Sequence, residues 1–434
     1  MIQIREVADA TCTACGCLCD DITLVVDADA NRIVEARRAC PIGRAWFLAD
    51  RDRRGRPTAT VDGRAVEPGE AIGRAAEILG GARASIILGL EAVPIEAQAA
   101  AVAIADRLGG VVDVGRAGDY GAVLRAIERV GIVSATLGEV RHRADVVAFW
   151  GVDPVTTHPR HFERYSVDAP GRFVGGGRTV LVADVGATAT AERADTVLRF
   201  DSDRQLEALS AVRAIVRGSA IDAGRLADAA GVDAGALADW TARLTSARYG
   251  ALFFGPSLGG AAQVEAALRL VRELNGPGRR FVALTLGPAG NAVGARGVMA
   301  WQSGYASAVD FASGIPRSLP GVTSASDRLA RGEVDAALLL DDPAGFNLSE
   351  PARTALARLS TVIIAPGSTD PLRASRSAVA LDAAIPGIDA PGTVARSDGP
   401  MLPLRPALVT HLPTALDLLK ALDAALSPIT PGSP

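Results

Sequence analysis

Lysine is all but missing from this 434-residue chain: Lys420 is the single example, and arginine carries the remaining positive charge. The bias points to a GC-rich genome rather than to a mechanism. Aromatic residues are only 4%, so the cores must be packed with Ala, Val, Leu and Ile. Cysteine is absent after Cys40, and there are four histidines in all. No apolar run reaches the roughly 20 residues needed to cross a bilayer. The opening MIQIREVADA has neither the basic start nor the apolar centre of a secretory signal, so a soluble, cytoplasmic protein is expected. A net charge of -4 argues against nucleic acid as a general partner. A Walker loop, a G-x-S-x-G elbow and an H-E-x-x-H helix are all missing, and no glycine run reads as a dinucleotide fingerprint.

What is present begins with Thr11–Asp21, TCTACGCLCDD. Cys12, Cys15, Cys17 and Cys19 fall inside it, and Cys40 follows in ACPIG. Four thiolates suit one tetrahedral zinc or an iron–sulfur cluster. The most regular set is Cys12, Cys15, Cys19 and Cys40, with Cys17 spare. An odd count and the lack of a signal segment weaken a disulfide reading. Ile22–Val26 and Arg32–Ala36, joined by DADANR, read as a hairpin that delivers Cys40 to the others.

Residues 1–55 are thus expected to form a Cys-rich β module, ending near the charged DRDRRGRP (Asp50–Pro57). Beyond it, short continuous apolar strands alternate with helices, as in ASIIL, DVVAFW, TVLVAD, GALFFG, RFVALTL, AALLLD and TVIIA. This is the pattern of parallel sheets covered on both faces, and the strands are too many for one ordinary sheet. The expected fold class is therefore α/β, with two doubly wound, mostly parallel domains after the Cys-rich module. One would be discontinuous, 56–115 with about 301–434, and the other would span 116–300. The tail Ser427–Pro434 is expected to be disordered. Ligands of such sheets sit beyond the carboxyl ends of strands, where Gly151–Pro154, Gly255–Gly260, Gly287–Gly290 and Asp341–Gly345 lie.

Several stretches together carry a family likeness: CTACGCLCDD with Cys40, Thr136–His161, Trp301–Arg317 and, more weakly, Ile385–Gly399. With them the chain resembles the B subunit of formylmethanofuran dehydrogenase, its molybdopterin or tungstopterin subunit. It looks most like the version in the formyltransferase/hydrolase complex of aerobic methylotrophic bacteria. The resemblance implies a molybdopterin-oxidoreductase-like fold, a [4Fe–4S] cluster on the N-terminal cysteines and a pterin cleft between the larger domains. It also implies a cysteine on the molybdenum or tungsten, in the loop before the helix that leads to Gly131. Here that loop reads GRAGDYGAV, and Asp119 stands at the ligand position. Aspartate is a hard oxygen donor where the family supplies a soft thiolate.

The expectation is a non-redox binding and scaffolding subunit in one-carbon metabolism, without a molybdenum or tungsten pterin and with catalysis left to other subunits. The rival is an active oxidoreductase with Asp119 on the metal and a [4Fe–4S] electron exit. A zinc-dependent hydrolase lacks a convincing His/carboxylate set. Zinc and [4Fe–4S] both remain open for the cysteines. Lack of a redox neighbour favours zinc or a purely structural site. His158, Arg160 and His161, in THPRH, are the candidate pterin-cleft loop, now with a structural role. A vacant cleft could instead take the polyglutamate-type tail of methylofuran, with Arg116, Arg160 and Arg296 as candidate partners. His142 and His411 are expected at the surface. Asp341 and Asp342 are read as turn or helix-start residues, and Asp20 and Asp21 as acceptors of backbone bonds in the cysteine loop.

Overall fold

The structure, a computed structural model, describes residues 3–51, 53, 55–116, 120–175, 177–319 and 321–426. Two of the positions singled out above, Asp119 and the tail Ser427–Pro434, lie outside the described residues.

The N-terminal segment forms an antiparallel three-stranded sheet of Ile4–Ala10, Ile22–Asp27 and Arg32–Arg37. The expected hairpin is its second and third strands. Helix Pro41–Leu48 follows, with proline in its first turn and Cys40 as its N-cap. Proline suits that position because its missing N–H would have no helical partner there.

The five strands Thr196–Arg199, Thr179–Asp184, Val146–Trp150, Tyr249–Phe254 and Arg280–Thr285 form, in that spatial order, an all-parallel sheet. Val146–Trp150 is buried at every position, as a strand covered on both faces must be. Val146, Ala148 and Trp150 face one core, filled by helices such as Gly121–Val130, Gln205–Val216 and Ala261–Leu274. Val147 and Phe149 face the other, and there the covering layer is the cysteine module itself, through Cys12, Cys17, Cys19, Leu24 and Phe47. The module is thus one of the layers that close this sheet.

The larger sheet has eight strands. Its parallel centre is Val111–Val112, Ser85–Leu88, Ala336–Leu339, Ser360–Ala365 and Val379–Asp382, flanked by antiparallel edge strands. Ile86 and Leu88 point into one core and Ile87 into the other. The second core takes helices Pro68–Gly80, Ile95–Leu108, Ala292–Ser303 and Ala415–Ala425. Two short helices, Ala223–Ala230 and Ala234–Thr245, lie between the parallel strands Thr196–Arg199 and Tyr249–Phe254 in the chain. Gly231 at φ +64° ends the first, and Asp233 caps the second by accepting from the Ala236 amide. Among the described residues no helix is long and apolar enough to cross a membrane.

Candidate functional site

The cysteine loop is pinned at its base by a bond from the Cys12 amide to the Cys19 carbonyl, 2.8 Å. Leu18 turns it with φ +43°. Cys12, Cys17 and Cys19 are buried, and Cys15 and Cys40 half-buried, all as free thiols. Cys40 arrives through the helix: its Sγ accepts from the Gly43 amide at 3.4 Å. A Cβ at Gly43 would stand 3.0 Å from the Cys12 sulfur and 3.7 Å from that of Cys40. Glycine is what lets both sulfurs approach this turn. Cys17, spare by spacing, sits between Cys15 and Cys19, and its thiol donates to the His158 carbonyl at 3.9 Å. The close sulfurs push its own thiol up, and Cys17 in turn pulls Cys15 down to about 7 and Cys19 down. Burial lifts Cys12 to about 12, with the neighbouring sulfurs adding to the effect.

Four soft donors fit zinc or an iron–sulfur cluster in kind. Among the described residues, however, no three His, Cys, Asp or Glu side chains are gathered about the position of one ion.

Behind the loop runs a seam with the five-stranded sheet. Arg160 takes both oxygens of Asp21, at 2.7 and 2.9 Å. Arg164 bonds Asp20 at 2.6 Å and also reaches Asp21. Asp20 and Asp21 therefore hold guanidinium groups of another segment where backbone amides were expected. Two arginines drawn close, only 11% and 16% exposed, need full countercharge. Burial raises the Asp21 carboxyl, but the Arg160 bond and the two guanidinium charges outweigh it and hold the group below its usual value. His158 donates from Nε2 to the Gly287 carbonyl at 3.0 Å. A Cβ on Gly16 would clash with that same carbonyl oxygen and meet the ring. His161 is core: 1% exposed, edge-on to Phe253 at 4.7 Å, with Nδ1 on the Ser166 hydroxyl and Nε2 without a partner among the described residues. Burial, with His158 adding, drives its pKa down to about 3. His158, Arg160 and His161 are thus brought together as packing and not as a converging ligand set. His142 and His411 are exposed.

The second constellation lies where the carboxyl ends of Ser85–Leu88, Val111–Val112 and Ala336–Leu339 meet the end of Arg280–Thr285. Glu91, 2% exposed, accepts from the amides of Gly115, at 3.0 Å, and Arg116. Asp113, 7% exposed, accepts from Val114, Ala308 and Ala325. Burial raises its carboxyl to about 6 against those bonds. Arg116 clasps Asp341 through Nε and Nη2, whereas Asp342 caps the short turn Pro343–Gly345. Arg296, 7% exposed, lies over the Tyr120 ring with Cζ 3.6 Å from its centre. Gly290 donates to the Thr13 carbonyl at 3.1 Å, which ties the cysteine loop to this junction. Beside it Asn291, which sequence reasoning missed, bonds Val93, Thr393 and Ala395 through its side chain. Its only sequence signal was a place just beyond a strand, in GPAGN.

The described junction offers oxygen and guanidinium groups but no thiolate. It does not fit the thiolate-ligated molybdenum or tungsten that the family resemblance implied.

No model of a known protein family matches the chain. Single relatives do. It is 34% identical over 416 residues to the B subunit of the tungsten-containing formylmethanofuran dehydrogenase 2 of Methanocaldococcus jannaschii, covering 93% of this chain and 94% of that protein. The chain belongs to the family of formylmethanofuran dehydrogenase B subunits. The B subunit of the formyltransferase/hydrolase complex Fhc of Methylorubrum extorquens is 29% identical over 282 residues, covering 65% of this chain and 74% of that one. Among solved structures, the FhcABCD complex from the same organism, crystallised with methylofuran, matches with a TM-score of 0.71 and 26% identity, over 85% of this chain and 98% of the matched one. Acetylene hydratase from Pelobacter acetylenicus matches with a TM-score of 0.64 and 12% identity, over 97% of this chain and 69% of that one, a likeness of fold. The fold is that of the molybdopterin oxidoreductases, and the family places the chain in one-carbon metabolism as one component of a multi-subunit assembly.

Proposed function

We propose that this chain is the non-redox B subunit of a formyltransferase/hydrolase-type assembly, which takes a formyl-tetrahydromethanopterin to formate by way of methylofuran. It contributes fold, cohesion and binding surface, and the other subunits carry the chemistry. The observation that carries this reading is the lack of any cysteine after Cys40, with Asp119 where the family's metal ligand is expected. Arg116 and Arg160, two of the three candidate partners for an anionic carrier tail, are engaged with Asp341 and Asp21. Cys12, Cys15, Cys19 and Cys40 would hold a metal centre that cross-links the loop to the helix behind it. A bound metal of that kind adds its binding energy to folding.

A second reading keeps the chain as a molybdenum- or tungsten-pterin oxidoreductase with Asp119 on the metal. It is favoured by the tungsten-containing relative, which matches at higher identity and over more of the chain than the Fhc protein does. Elemental analysis of protein purified without air, with a visible spectrum, separates the two. Zinc alone, or no metal, is the expected result, and iron without a heavy metal would mean an orphaned, structural cluster. Iron together with molybdenum or tungsten would overturn the non-redox reading.

A further inference from the structure

Of the ten phenylalanines in the chain, every one but Phe173 is buried, and Phe173 is 58% exposed. In a chain so poor in aromatics, a large apolar ring left in water needs a reason. Its backbone is fastened to the end of helix Leu137–Arg143. The Phe173 amide donates to the His142 carbonyl at 2.9 Å, and the Arg172 amide to His142 Nδ1 at 3.3 Å. Arg178 ties the same helix end to the preceding loop, donating to the carbonyls of Arg141, Ala144, Val167 and Ala169. Gly171 passes so close that a Cβ there would stand 2.9 Å from the Arg141 carbonyl oxygen. The ring is thus held at a fixed place beside the amino end of Val146–Trp150, whereas the junction is built at strand carboxyl ends.

Positive charge gathers around it. The Arg143 guanidinium carbon lies 4.9 Å from the ring centre and that of Arg172 5.7 Å, both within reach of cation–π attraction. Arg141 and Arg178 stand at the same helix end. Two neighbouring acids are taken up by other arginines, Asp168 by Arg193 and Asp145 by Arg248. Among the described residues Glu139 is the one acid that pairs with any of the four, at 3.8 Å from Arg143. The carbonyls of a helix end account for arginines there, but not for an exposed ring in their midst.

We propose that Phe173, with Arg143 and Arg172, is the anchor of a docking surface for another subunit of the assembly. That subunit offers an apolar seat for the ring and carboxylates for the two guanidinium groups. Aromatic and arginine side chains are what protein interfaces concentrate, and they carry much of the binding energy. Carboxylates alone, as in a glutamate tail, would meet the arginines and leave the ring in water. A folded acidic partner satisfies both. The inference needs only that the chain is one component of a multi-subunit assembly, so it holds under either reading of the cleft.

The test uses the native complex, assembled with wild-type or variant chain, and follows its dissociation by sedimentation velocity over dilution and salt. Phe173→Ala should weaken assembly at least tenfold at every salt concentration, while the free chain melts as wild type does. Arg143→Glu with Arg172→Glu should weaken it at least tenfold at low salt, by a factor that shrinks as salt rises. Hydroxyl-radical footprinting should find Phe173 reactive in the free chain and protected in the wild-type complex. Equal reactivity in the two would overturn the proposal, as would assembly unchanged in both variants. A glutamate homopeptide or single-stranded RNA that binds wild type and not the double variant, with assembly intact, would reassign the patch to that ligand. Protection of Phe173 that grows with the concentration of the free chain would make a second copy the occupant, and would equally overturn it.

Discussion

The seam behind the cysteine loop and the junction around Arg296 solve the same problem in opposite ways. At the seam Arg160 and Arg164 are met by Asp21 and Asp20. At the junction Arg296 is also buried, with the Tyr120 ring on one face, and its Nε and Nη2 have no hydrogen-bond partner among the described residues. At the seam the same is true of His161 Nε2, yet the consequences differ. His161 can discard its proton and rest among Phe149 and Phe253 as a neutral ring. Arg296 has no neutral form to retreat to.

The largest expected effect separates the two regions by pH. His161 has its folded pKa depressed to about 3, below an unfolded value of about 6.5. The unfolded chain binds the proton first, so stability falls as pH drops from about 6.5 toward about 3, by on the order of 4 kcal/mol in full. At the junction Asp113 has the opposite sign. Its folded pKa is raised to about 6, so its contribution is lost as pH rises from about 3.9 toward that value. Denaturant unfolding from pH 7 to pH 4 should give a shallower slope for His161→Gln and a steeper one for Asp113→Asn. Identical slopes in wild type and both variants would remove the contrast.

Next in size is Gly16→Ala. A Cβ there collides with the Gly287 carbonyl and meets the His158 ring, and backbone gives way less readily than a side chain. A loss of about 3 kcal/mol is expected from overpacking, read by chemical denaturation. A variant as stable as wild type would show that the seam has room for the added methyl group. Asp21→Ala follows at about 2 kcal/mol, because it strips Arg160 of its bidentate partner and Arg164 of a second contact. Chemical denaturation of the single and double variants with Arg160→Ala would measure the coupling.

Much of the architecture was legible because it was local. Strands such as Val146–Trp150 stood out as continuous apolar runs between turn residues, and the hairpin before Cys40 was framed by DADANR. Helix Ala292–Ser303, which carries Arg296, was not assigned. Gly294 and Gly297 interrupt it, and its helical state is secured by packing on Ile95–Leu108. The site was legible in composition but not in pairing. The cysteines announced themselves by spacing. That Asp21 would meet an arginine 139 positions away, or that Arg296 would lie over the Tyr120 ring, depends on tertiary contacts that no local pattern carries.

The smallest effect is also the sharpest form of the comparison, because it applies one substitution to both regions. Arg160→Lys keeps the charge near Asp21 but loses the two parallel bonds to its carboxylate. About 1 kcal/mol should go with them. Arg296→Lys has no such pair to lose among the described residues and should leave stability within about 0.5 kcal/mol of wild type. A longer, more flexible ammonium can even move toward water and relieve part of the burial cost. Equal losses at the two sites would mean that Arg296 is paired within the fold after all. Unequal losses, with the larger at Arg160, would leave the paired guanidinium as the feature that distinguishes the seam from the junction.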